Sequence, residues 1–99
     1  MPYAPAIDDQ LLAISVNSGI AELAAHPRFA AAEPDMVQAI AEGIGALAAG
    51  EWAPLNRIGD VEGAQLENGT VTLPAGFAEA YAAYVEQGWN AISGPVEYG

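Results

Sequence analysis

Ninety-nine residues suffice for one small domain with a modest core. Thirteen Asp and Glu stand against two cations, Arg28 and Arg57, for a formal net charge of −11. That balance argues against nucleic acid and anionic membrane surfaces as partners, because both are held by clustered Lys and Arg. Cysteine is absent, which removes disulfides, thiolate nucleophiles and cysteine metal sites. The chain is 53% apolar, yet much of that is alanine, which favours helix and buries little area per side chain.

The start, Met1-Pro2-Tyr3-Ala4-Pro5, has neither the basic segment nor the apolar run of a signal peptide. No apolar stretch approaches bilayer length, so a cytoplasmic protein is expected. Residues 1–7 read as an extended arm. Asp8 or Asp9 is placed to cap a helix carrying Leu11, Leu12, Ser15 and Val16 on one side, with Gly19 as its stop. A short turn of helix through Ile20, Leu23 and Ala24 ends at His26-Pro27, since the residue before proline avoids the α region.

The clearest element opens at Pro34, a residue suited to the first helical position, with Asp35 at the positive end of the dipole. Met36, Ile40, Ile44 and Leu47, with Val37 beside them, recur at helical period. Gly43, Gly45 and Gly50 weaken this helix by about 0.8–1 kcal/mol each relative to alanine. Either packing holds it despite them, or they admit another segment at close range. Pro54 is expected to kink or end it near Trp52. From 59 to 76 the character changes. Asn68-Gly69, between Ala64-Gln65-Leu66 and Thr70-Val71-Thr72-Leu73, is the signature of a tight hairpin with a type I′ turn. Pro74 opens a last helix with Phe77, Tyr81, Tyr84 and Val85 as its apolar stripe and Gly88 as its stop.

No complete catalytic constellation emerges. His26, the single histidine, has no orienting acid implied by its neighbours. Asp60-Val61-Glu62-Gly63 begins like a calcium loop, but Gln65 stands where the sixth-position glycine is required. Asn68-Gly69-Thr70 fits a glycosylation sequon, and the hairpin turn explains the same residues. The surroundings of Ser15, Ser18 and Ser93 lack the Asp-Ser-Leu-like pattern of an acyl carrier protein. The glycines are scattered, with no phosphate-cradling loop.

One family resemblance runs through most of the chain. Ala53-Pro54-Leu55-Asn56-Arg57-Ile58-Gly59-Asp60 and Glu62-Gly63-Ala64 resemble the N-terminal helical domain of acyl-CoA dehydrogenases. Leu66 to Val71, Pro74, Gly76-Phe77, Ala80-Tyr81, Tyr84 and Gly88-Trp89-Asn90 continue the likeness in order. Pro95-Val96-Glu97-Tyr98-Gly99 is similar to that family's Pro-x-Glu-Tyr-Gly-Gly turn. The opening Met1-Pro2-Tyr3 with Pro5 and Asp8 resembles its larger bacterial subgroup, the methylmercaptopropionyl-CoA dehydrogenase-like members.

The resemblance implies a mainly α fold: a small helical domain of three to four helices with a short β-hairpin, spanning 1–99 as the N-terminal piece of a longer chain. Gly99 falls inside the family's turn, which adds to the expectation that the natural chain continues. The resemblance further implies FAD in the full-length enzyme, an acyl-CoA substrate, the remaining domains of the same enzyme as partners, and a homo-oligomer. The catalytic base and most of the FAD site would lie in those other domains, so no catalytic, cofactor-binding or metal residue is assigned here. Tyr98 and Gly99 are the candidates for positions near the acyl cavity, although a structural turn accounts for the same residues. The alternative is a stand-alone acidic helical module that presents its negative charge to a basic partner.

Overall fold

The computed structural model describes residues 2–98. The fold is mainly α with one hairpin, as expected. The residues form two compact units, Tyr3–Ala46 and a second comprising Pro2 with residues 47–98.

In the first unit, α1 spans Ile7–Ser18, α2 spans Ile20–Ala24 and α3 starts at Pro34. Asp8 and Asp9 do not cap α1. The cap is Ala6, whose carbonyl accepts from the Gln10 N–H at 2.9 Å, and the two acids sit in the first turn, where they complement the helix dipole. The inward side of α1 also differs from expectation. Ile7, Leu11 and Ile14, at i, i+4 and i+7, are half-buried, whereas Leu12 and Val16 are exposed. Gly19 ends α1 at φ +61°, a left-handed conformation glycine adopts without a Cβ penalty, and its carbonyl then opens α2.

His26 is extended, as the proline after it requires, and a 3₁₀ segment follows over Pro27–Ala32. In α3 (Pro34–Leu47), Ala41 and Leu47 are buried and Val37 and Ile40 half-buried, while Met36 and Ile44 remain exposed. Gly45 answers the question its sequence left open. A Cβ there would stand 3.0 Å from both Ile7 Cδ1 and Pro5 Cγ, so this glycine admits the N-terminal arm against the helix. Gly50 has nothing within 4 Å of such a position.

In the second unit the chain leaves α geometry at Ala48. Pro54 has no N–H to give and its ring clashes with an α turn. The backbone first widens into a π turn over Ala48–Trp52, with the Ala53 N–H donating to the Ala48 carbonyl five residues back. It then tightens into a 3₁₀ turn over Ala53–Leu55 and re-enters helix as α4, Asn56–Val61. Gly63, at φ +64°, follows the end of α4. Strands β1 (Gln65–Glu67) and β2 (Thr70–Thr72) pair antiparallel with Leu66 opposite Val71. Both turn residues have positive φ, Asn68 at +50° and Gly69 at +79°, as a type I′ turn demands. α5 spans Phe77–Glu86, stops before Gly88 at φ +83°, and is followed by 3₁₀ turns at Trp89–Ala91 and Val96–Tyr98. Among the described residues no helix is long and apolar enough to cross a membrane.

Candidate functional site

The second unit holds an open groove of about 650 Å³ between α4 and α5. Its first wall is Leu55, Asn56, Gly59 and Asp60, whose spacing of one and four residues places them on one face of α4 and the turn leading into it. The opposite wall is Phe77, Ala80 and Tyr81, again one helical face by spacing. Trp52, from the π turn, also lines it.

Two glycines set the distance between these walls. A Cβ at Gly59 would lie 2.8 Å from Phe77 Cζ, and a Cβ at Gly76 would lie 2.8 Å from Leu55 Cδ2. Both are below any real contact distance, so the absence of a side chain is what lets Phe77 and Leu55 reach the facing backbone. Trp52 is fixed from two directions. Its indole Nε1–H donates to the Ala80 carbonyl at 3.3 Å, and its ring meets Tyr84 at 5.3 Å between centroids, tilted by 48°. Tyr84 in turn meets Tyr81 at 6.2 Å. The groove is therefore an aromatic, largely apolar surface whose one charged lining residue is Asp60, with the Asn56 carboxamide one turn earlier on α4. Its lining residues do not include a nucleophile paired with a base.

Tyr98 lies in the last 3₁₀ turn, where its N–H donates to the Pro95 carbonyl at 3.0 Å and its side chain is 85% exposed. It is not among the residues lining the groove, and Gly99 lies outside the described residues. His26 is exposed and structural. Its Nδ1 accepts the Arg28 N–H at 3.3 Å at the head of the 3₁₀ segment, and its ring sits 5.9 Å from Phe29. Asp60 lies in α4 and Glu62 directly follows it, with no third acid or histidine among the described residues near enough to share a metal.

The groove is not legible in the sequence, because the break at Pro54 and the change of character from residue 59 hide the short helix between them. The available signal was the i, i+4 pairs Leu55–Gly59 and Asn56–Asp60, obscured by the glycine and the Gly59-Asp60 turn signature.

No family model matches the chain. Over all 99 residues it is 38% identical to the N-terminal part of a curated protein of Ruegeria pomeroyi, 3-methylmercaptopropionyl-CoA dehydrogenase. The chain spans 17% of that protein's length. The likeness to the N-terminal portion of an acyl-CoA dehydrogenase, drawn first from ordered motifs, thus holds along the whole chain.

Proposed function

We propose that these residues are the N-terminal helical domain of a flavin-dependent acyl-CoA dehydrogenase, an enzyme that introduces an α,β double bond into an acyl-CoA thioester. The chain acts as a scaffold and as part of the wall around the acyl chain, with Tyr98 and Gly99 toward that wall. The observation that carries this reading is the 38% identity over all 99 residues with one sixth of a CoA dehydrogenase. The physical state of the chain agrees with it. Among the described residues the buried apolar side chains are Ala41, Leu47, Pro74 and Ala80, mostly small, while Leu12, Val16, Leu66, Val71 and Tyr81 are exposed. Elements with so little interior of their own suit a part that packs against others.

The residues present do not fit FAD by themselves. Its pyrophosphate needs backbone N–H groups of a glycine-rich turn or clustered cations, and the groove offers a carboxylate instead. FAD therefore belongs to the rest of the enzyme in this reading. The same holds for the catalytic base, and the assembly is a homo-oligomer.

Expression of the full gene product tests the proposal. The expected result is a yellow protein with a flavin absorption spectrum that bleaches on addition of an acyl-CoA. A gene product that stays colourless after reconstitution with FAD and leaves a panel of acyl-CoA thioesters unchanged overturns it.

A further inference from the structure

We propose that the groove between α4 and α5 is a binding site for a small amphiphilic organic cation, one with an apolar chain and a quaternary or substituted ammonium head. The inference is independent of the dehydrogenase reading and rests on the groove alone.

Its volume, about 650 Å³, falls in the range of small-molecule sites and exceeds what a few waters would fill. Three of the lining side chains are aromatic: Trp52, Phe77 and Tyr81. Aromatic faces carry the negative side of a ring quadrupole, and they attract an alkylated cation while also burying its methyl groups. The charge in the lining has one sign. Asp60 contributes a carboxylate and neither Arg28 nor Arg57 lines the groove. A chain of net charge −11 adds a field that draws cations and repels anions. An acidic or phosphorylated ligand therefore meets repulsion, and a neutral apolar ligand leaves Asp60 and Asn56 unused. The aromatic end is also pre-organised. Trp52 is held by the Ala80 carbonyl and by Tyr84, so binding need not order it.

Hexyltrimethylammonium, below its micelle concentration, is the probe, with hexan-1-ol and hexyl sulfate as neutral and anionic counterparts of equal chain length. Binding is read by isothermal titration calorimetry, on the 99-residue chain and on the full gene product. The expected result is saturable binding of the cation, weaker binding of the alcohol and none of the sulfate. Asp60 is itself exposed, and Asp60→Asn is expected to weaken the cation by about five-fold, the upper worth of a surface charge contact of about 1 kcal/mol. Glu67→Gln makes the same change in net charge on the hairpin, outside the groove, and is expected to leave affinity unchanged. Trp52→Leu is expected to weaken binding by about ten-fold or more, with circular dichroism confirming that helix content is retained.

Equal affinities for cation and alcohol overturn the proposal, as do equal losses from Asp60→Asn and Glu67→Gln. So does binding to the 99-residue chain that vanishes in the full gene product, since the groove is then covered by another part of the protein. Should Trp52→Leu lose its helix content, the Asp60→Asn and Glu67→Gln pair decides alone.

Discussion

Gly59 on α4 lies so close beneath the ring of Phe77 on α5 that a Cβ there would stand 2.8 Å from Phe77 Cζ. The contact is a pairing of a missing side chain with a large one. Gly59→Ala gains about 1 kcal/mol of helix propensity but forces the Phe77 ring out of its place, at a cost of about 1–3 kcal/mol. The net expectation is a loss of about 1 kcal/mol in urea unfolding. Phe77→Leu, which removes the far end of the ring, is expected to be less damaging beside Gly59→Ala than alone. A double-mutant cycle reads that coupling directly. A raised urea midpoint for Gly59→Ala would contradict the close packing described.

Gly76 and Gly50 form a second, opposite pair. Gly76 has φ +92° and stands 2.8 Å, through its hypothetical Cβ, from Leu55 Cδ2. Gly76→Ala meets backbone strain and a clash together, and a loss of about 1–3 kcal/mol is expected. Gly50 has open space and no left-handed backbone, so Gly50→Ala is expected to stabilise by about 0.4–1 kcal/mol through the unfolded state. Thermal melting of the two variants beside the parent checks the contrast. Equal shifts in the same direction would refute it.

The hairpin depends on its turn more than on its packing, because Leu66 and Val71 are 73% and 63% exposed. With Gly69 at φ +79°, Gly69→Val puts a β-branched residue in left-handed backbone at a cost of about 1–2 kcal/mol. A two-stranded ribbon has little stability in reserve. The expected outcome is loss of the cross-strand nuclear Overhauser effects between Leu66 and Val71, while α5 signals persist. Persistence of those cross-strand signals in Gly69→Val would show that the strands are held by something other than the turn.

Local chemistry made some of this structure legible and left the rest out of reach. Gly19, Asn68-Gly69 and Gly88 act through their own backbone conformations, so their roles can be read from residue type alone. Pro54 announced a break after the long helix, but a proline does not dictate the geometry on either side of it, and the π turn, 3₁₀ turn and α4 compensate for it together. The inward face of α1 is ambiguous in the sequence because Leu11–Leu12 and Ile14–Ser15–Val16 offer two neighbouring stripes. The selection of Ile7, Leu11 and Ile14 is tertiary: Gly45 on α3 opens space beside Pro5 and Ile7. The groove was invisible for the same reason, since Gly59 and Phe77 are eighteen positions apart and neither carries a motif that names the other.

The exposed apolar side chains make a last prediction about the 99-residue chain in isolation. Leu12 and Val16 share one side of α1 at i, i+4 spacing, 64% and 72% exposed, and carry no hydrogen bond that requires them. Burying such surface is worth about 25 cal/mol per Å², and a second copy is the nearest means of doing so in a purified sample. The negative charge opposes that association and salt screens it. Sedimentation at about 0.5 M salt is therefore expected to show self-association that rises with protein concentration and weakens at low salt. Leu12→Gln with Val16→Gln is expected to reduce it while changing helix content little, because surface substitutions of this kind shift stability by about 0.5 kcal/mol. Strict monomer behaviour at both salts, together with a high urea midpoint, would mean that the chain satisfies its own apolar faces and that these residues need no partner.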